Sequence, residues 1–539
     1  MTRERAAGGF AAVGAFSVLA HLPFLAEPFH IDEPFFLAPV ARILKDPRHP
    51  LAFTLNWLGR AQNGPDIFNH SIVTSYILAG AWALTRGSEF GMRLACLPFD
   101  VVAACALYWL AGRYLKRPLW PVLIVLACPA WFLGMPMLMA EKWVMCAVLL
   151  SACALLKSLD GGEPALYWLS AVLLSLAVTL KSTAACLLLP LAAVQWSRGV
   201  PRGRLAAYVL ACLALPALDA FWLEPWRLRD TLEMTRNVDQ SLFAHLQRLR
   251  ALLVFPAACV PLVAAWPFLR AALSPARRRW TLLGSLLAAT VLFCPLFDQP
   301  GRPVAFLDRV LGLFFAVATL VALAELTSPR SRSLPGWPLW LSWIIGGLAA
   351  SWANYFVSAR SILLLLPALL LAFAERLERD MAPRALKRFH IAGFGAVFAL
   401  SLLLARVDAD FAGAQRTVAR TVKADAIDRG RKVWFTGHWG FQYYMEKAGA
   451  TALDAGAGGW AEVKPGDLVV VPENNVMQLL PSPPLRVDVV RELSMSDPIP
   501  LRLIDVGDRQ AGFYASPFGF LPYAVSRAPL DVFTFVQVL

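Results

Sequence analysis

Apolar blocks of about 16–22 residues recur along the first four hundred residues of this chain, separated by short polar segments. A helix needs ~20 mostly apolar residues to cross the ~30 Å hydrocarbon core of a bilayer, so the pattern predicts a polytopic membrane domain. Candidate spans fall at approximately 8–26, 92–112, 119–136, 143–157, 165–181, 183–197, 205–222, 251–269, 280–297, 304–326, 336–357, 361–375 and 389–406. One further block, Ser71 to Thr85, is apolar but only about 15 residues long, short of a crossing.

Charge decides how that block is read. With 71–85 lying along the outer surface, the basic loops at 113–118, 198–204, 275–279, 328–332 and 375–388 all fall inside, as the positive-inside bias requires. If 71–85 crosses, all of them fall outside. We therefore read thirteen spans and an interfacial helix, with the N-terminus inside. The basic segment Met1 to Arg5, followed by the apolar run from Phe10 to Leu25, reads as an uncleaved first span. Two long outer loops result, over about 27–91 and 223–250.

Composition supports this reading. Of 539 residues, 58% are hydrophobic and 16% charged, whereas soluble domains are about 45–50% apolar and about a quarter charged. An ordinary soluble enzyme, a disordered chain and a fibrous repeat are excluded. The net charge of +13 is accounted for by cytoplasmic loops, and nucleic acid is not an expected partner. The nine cysteines lie in apolar stretches, none beyond Cys294, without metal-ligand spacing, and read as apolar filler.

A composition break near Arg406 predicts a membrane domain over 1–406 and a soluble α/β domain over 407–539, which the charge-derived topology puts outside. Strands are expected at 432–436, 468–471, 486–490, 501–506 and 530–538, and a helix over Phe441 to Ala448 closed by Gly449. No phosphate-binding glycine loop or catalytic set is evident in this part. The motif GHWGFQYY (437–444) reads as packing rather than as an acceptor contact.

The same topology gathers ionisable residues on the outer face. Asp32-Glu33, just after the first span, could act as a general base or hold a metal, or could be a solvated pair. Glu141 opens the fourth span, where an acid also suits a helix N-terminus. Lys181 could meet an anion or snorkel to headgroups; Arg360 could grip a phosphate or anchor at the interface. His70 precedes the interfacial helix, and Arg93 could line the cavity or pair with Asp100. Asp100, Asp219, Asp308 and Arg309, in the outer halves of their spans, describe either a cavity opening outward or structural ion pairs.

Taken in order, these positions resemble the motifs of the GT-C polyprenyl-phosphate-sugar glycosyltransferases, in particular the protein O-mannosyltransferase-like branch that includes the lipid A aminoarabinose transferases. The matching positions are Asp32-Glu33, the segment Asn69 to Val73, Gly87-Ser88-Glu89 through Arg93, Leu138 to Glu141, Leu180-Lys181 and Arg360 to Leu364. The resemblance covers about residues 8–406. Glu stands at 141 where the family has Asp, and Ser at 361 where it has Tyr.

The resemblance implies an inverting transfer of a sugar from a polyprenyl-phosphate donor to a lipid, glycan or protein acceptor. It implies Asp32 as base, with Glu33 and Glu141 orienting the acceptor or binding a divalent ion. Lys181 and Arg360, with His70 and Arg93, would bind the donor phosphate. No cofactor other than that ion is expected, and membrane lipids are the surroundings. The implied location is a bacterial inner membrane, with the C-terminal domain in the periplasm. A transporter and a polysaccharide polymerase or ligase are the competing readings. The first would need ionisable or broken helices at mid-depth, in repeated halves.

Overall fold

The computed structural model describes residues 3–223, 241–268, 275–299, 301–354, 356–474, 487–505, 507 and 509–539. Most of the second outer loop expected over 223–250 lies outside the described residues. Among the described residues, six helices have the length and apolarity of a full crossing: Ala7–Phe24, Glu89–Tyr114, Ala140–Gly161, Arg202–Phe221, Phe306–Leu326 and Pro383–Arg429. The shorter apolar helices include Ile72–Thr85, Pro164–Leu180 and Ser182–Ser197.

Several of the thirteen expected spans are therefore divided. The block 119–136 forms Leu119–Ala127 and Pro129–Gly134. Pro129 lacks an N–H and forces Cys128 into an extended conformation, which breaks the helix there. The block 361–375 opens as a tight 3-10 turn, Ser361–Leu364, before the helix Leu366–Asp380. The block 71–85 forms a helix of 14 residues, only ~21 Å long and too short to cross.

Helices Ala140–Gly161 and Pro164–Leu180 form an antiparallel hairpin. Gly162 closes the first in the left-handed conformation, φ +72°, and a proline in the first turn of the second satisfies the N1 preference. Ser151 Oγ donates to the Ser170 carbonyl at 2.7 Å and locks the pair at mid-length. Because the chain reverses there, the start of one helix and the end of the other meet at one end. Glu141 stands in the first turn of the former and Lys181 just beyond the latter.

The C-terminal part holds a five-stranded mixed sheet in the order Thr451–Ala452, Val433–Phe435, Leu468–Pro472, Asp531–Val538, Val487–Met495. The first three strands are parallel and the last two antiparallel to their neighbours. Side chains alternate between faces: Val433, Phe435, Leu468 and Val470 pack on Phe441 and Met445, whereas Trp434 and Val469 pack on Leu453 and Trp460. The helix expected over 441–448 spans Trp439–Ala448, and Gly449 ends it at φ +103°. Of the expected strands, 501–506 shrinks to the pair Ile504–Asp505.

No backbone break marks the compositional change at Arg406. A single helix of 43 residues, Pro383–Asp425, runs through it, and its last turns contribute Val418 and Val422 to the sheet's core. The segment before the last strand turns back as well. Phe513, Tyr514, Phe520 and Leu521 are buried in the same apolar cluster as the membrane helices.

Candidate functional site

Asp32 occupies the N-cap position of helix Glu33–Ile43, whose first turn contains Pro34. Its side chain does not cap the helix, so the carboxylate remains available. Ile31, directly before it, is held at φ +50°, a strained conformation for a β-branched residue. Asp32 Oδ2 accepts from Arg360 Nη2 at 3.0 Å, and the Asp32 side chain is 28% exposed against 8% for Arg360.

Arg360 is fixed by its own loop. Ser358 and Ser361 cap each other, N–H to Oγ, at 2.8 and 3.1 Å, and Ser351 Oγ donates to the Ser361 carbonyl at 2.9 Å. The C-terminal part adds two backbone bonds, from Ala359 to the Phe513 carbonyl at 2.8 Å and from Ser516 to the Val357 carbonyl at 2.7 Å. Arg360 Nη1 touches Met139 Sδ, while its Nε has no hydrogen-bond partner among the described residues.

Lys181 Nζ donates to Glu141 Oε1 at 2.8 Å, and its side chain is one-quarter exposed. Glu141, Lys181 and Arg360 line one pocket together with Thr183, Asn354 and Ser361. Two carboxylates and two cations from distant parts of the chain thus converge at one place, with a guanidinium N–H and a partly exposed ammonium able to meet an anion.

Glu33 and Arg93 stand behind this group. Arg93 Nη2 lies 2.8 and 3.0 Å from the two Glu33 oxygens, and the Leu138 and His30 amides donate at 3.0 and 3.1 Å. Burial would raise the Glu33 carboxyl, but Arg93, the His30 imidazole and the Leu138 amide hold it down at about 2. All four lone-pair directions of Glu33 are engaged, so the expected metal-binding role does not fit it. Arg93 pairs with Glu33, not with Asp100 as the sequence allowed, and its Nη1 and Nη2 also donate to the carbonyls of Glu27 and Pro28. Both residues act as a buried clamp on the first outer loop.

His70 stacks on Phe36, with ring centroids 4.6 Å apart, and meets Phe35 and Phe68 edge-on. Its ring belongs to an aromatic cluster under helix Glu33–Ile43. Three of the four outer-half charges form ion pairs: Asp100 with Lys142, Asp308 with Arg509, and Arg309 with Asp298. In the GHWGFQYY motif, a Cβ on Gly440 would come within 2.2 Å of the Phe29 carbonyl, and Tyr444 Oη donates to Glu89 Oε1 at 2.7 Å. The motif packs on the segment between the first two spans.

Sequence reasoning missed Asn354, Thr183 and the docking segment 513–516, none of which carries a charge or motif to mark it. It also passed over Glu27, His30 and Asp408, which lie together. His30 is adjacent to the acidic pair and Asp408 is two residues past the composition break, so only their co-location was invisible.

Residues 69–222 match the family described as dolichyl-phosphate-mannose-protein mannosyltransferase. No curated protein sequence matches the chain. Among solved structures, ArnT from Cupriavidus metallidurans bound to undecaprenyl phosphate is 12% identical, with a TM-score of 0.39, covering 90% of this chain and 96% of that one. The Archaeoglobus fulgidus oligosaccharyltransferase in the apo form is 13% identical, with a TM-score of 0.46, covering 84% of this chain and 64% of that one. The apolar helices and the family match make this a multi-pass membrane protein. Over residues 69–222 the chain is similar to dolichyl-phosphate-mannose-protein mannosyltransferases, in agreement with the glycosyltransferase motifs it resembles.

Proposed function

We propose that this protein is an integral-membrane glycosyltransferase that moves a sugar from a polyprenyl-phosphate donor to an extracytoplasmic acceptor. The observation that carries the reading is the meeting of Asp32, Arg360, Glu141 and Lys181. The family match over residues 69–222 supports the same class of reaction.

In this mechanism Arg360 and Lys181 bind the donor phosphate and stabilise the charge that develops as it leaves. The two cations are held ready by Asp32 and Glu141. An arriving phosphate draws Arg360 toward itself and loosens its hold on Asp32. Asp32 then takes the proton of the acceptor hydroxyl or amine as that group attacks the anomeric carbon. One base without a carboxylate nucleophile gives inversion. Glu33 and Arg93 position the loop that carries Asp32. In this reading the site faces the periplasm of a bacterial inner membrane, the N-terminus is cytoplasmic, and residues 407–539 form the outer domain.

The test is incubation of the purified protein with labelled polyprenyl-phosphate sugars and envelope extracts, followed by mass spectrometry of the products. A sugar-mass gain on an acceptor with release of polyprenyl phosphate is expected. Release of a lipid diphosphate would point instead to a polymerase or ligase, and solute flux in proteoliposomes without product to a transporter.

A further inference from the structure

One buried cluster has no part in the proposed transfer. Glu27 follows the first span, His30 opens the outer loop, and Asp408 belongs to the helix Pro383–Asp425. Each offers one ligand atom, and the three atoms lie within 4.8 Å of one another. His30 Nε2 is 3.3 Å from Asp408 Oδ2 and 3.6 Å from Glu27 Oε1. Charge-assisted N–H···O bonds close to about 2.7–2.9 Å. Ligand atoms ~2.0–2.1 Å from a tetrahedral zinc ion stand about 3.3–3.4 Å apart. The spacing matches that of ligands around a shared cation, and such an ion would replace the hydrogen bonds of His30 Nε2 to Asp408 Oδ2 and to Tyr514 Oη, each 3.3 Å long.

A second observation points to a ligand. Asp408 is 3% exposed, yet its Oδ1 has no hydrogen-bond partner among the described residues, and Glu27 Oε1 also lacks one. Buried carboxylate oxygens without partners are costly. Both residues line a cavity that also touches Arg93 and His21 and has room for a water molecule. On the far side of the imidazole, His30 Nδ1 has no hydrogen-bond partner among the described residues, and Glu33 Oε2 stands 3.6 Å from it. Tyr514 Oη donates to Asp408 Oδ2 and brings the C-terminal part to the same point.

We infer that Glu27, His30 and Asp408 bind one divalent transition-metal ion of the zinc class. One imidazole nitrogen and two carboxylates form the donor set, and the cavity supplies a water as fourth ligand. The ion ties the outer loop, two residues before Asp32, to the long helix that leads into the C-terminal sheet. Its role is to hold the loop in place, and it takes no part in the transfer itself, so the inference stands apart from the proposed activity.

The test uses the full-length protein in detergent, without an activity readout. Metal content is measured after dialysis, and thermal unfolding after chelation and after return of Zn²⁺. The wild type is expected to retain about one ion per chain and to regain its melting temperature with Zn²⁺. His30→Gln and Asp408→Asn should abolish both effects. Should either variant fold poorly, Glu27→Gln, at the least buried corner of the cluster, should weaken Zn²⁺ binding more than about tenfold. A wild type that retains no stoichiometric metal and does not respond to Zn²⁺ overturns the inference. So does Zn²⁺ binding that Glu27→Gln leaves unchanged.

Discussion

Asp32 and Arg360 are separated by 328 positions in the chain, yet a carboxylate oxygen of one lies 3.0 Å from a guanidinium nitrogen of the other. The partly exposed acid and the buried cation form the junction between the first outer loop and the loop after helix Trp337–Ala353. If this junction is the reacting centre, removing the basicity of Asp32 should abolish transfer and leave the fold intact. Asp32→Asn keeps an oxygen for Arg360 and should lower turnover by about 10²–10⁴-fold. Steady-state turnover of the purified variant, alongside its melting temperature, checks this; wild-type turnover would reject Asp32 as base.

Lys181→Ala and Arg360→Lys should raise the KM for the lipid-phosphate donor and leave the acceptor KM unchanged. Arg360→Lys is included because a lysine keeps the charge but loses the fork that grips a phosphate through two oxygens. Kinetics with each substrate varied in turn decide the matter, and a defect confined to the acceptor KM would contradict the assignment.

Glu33→Gln should destabilise the protein by about 3–5 kcal/mol, because it leaves the Arg93 guanidinium buried without its counter-charge. The carboxyl is held at about 2 against 4.5 for a free glutamate. Its stabilising contribution is therefore complete above the free value and fades as the pH falls toward about 2. Thermal unfolding in detergent should show the loss at neutral pH and a smaller one in acid. A double variant removing Arg93 as well should lose less than the sum of the two single changes.

Asp531 predicts the opposite pH dependence. It is 2% exposed, and burial pushes its carboxyl from 3.8 up to about 7, although the amides of Asn474, Val532 and Glu473 pull it down. The fold thus favours the protonated form. The benefit is full below about pH 4 and is lost as the pH rises through about 7. Asp531→Asn keeps an acceptor for the three amides and cannot ionise. It should stabilise the protein at pH 8 by on the order of a few kcal/mol and have little effect at pH 4. Melting curves at the two pH values test this, and equal shifts at both would contradict it.

What the sequence determined by itself was whatever local order and solvent preference dictate. Apolar block length called for a bilayer, and runs bounded by turn residues foretold the strands found at 433–435, 468–472 and 531–538. Gly449 foretold the stop of the helix before it. The motif resemblance also singled out Asp32, Glu141, Lys181 and Arg360 as candidates, and the structure brings these four together.

Only the tertiary structure decided which charges face one another. Glu33 and Asp32 are neighbours in sequence, but the helix start turns one inward to Arg93 and the other toward Arg360. The same holds for Asp308, whose partner Arg509 comes from a returning C-terminal segment, and for the cluster of Glu27, His30 and Asp408. Pairing of this kind depends on long-range packing of helices and loops. Residues far apart in the chain share no local signal, and each charge reads the same in sequence whether its partner is a proton, a cation, another side chain or a substrate.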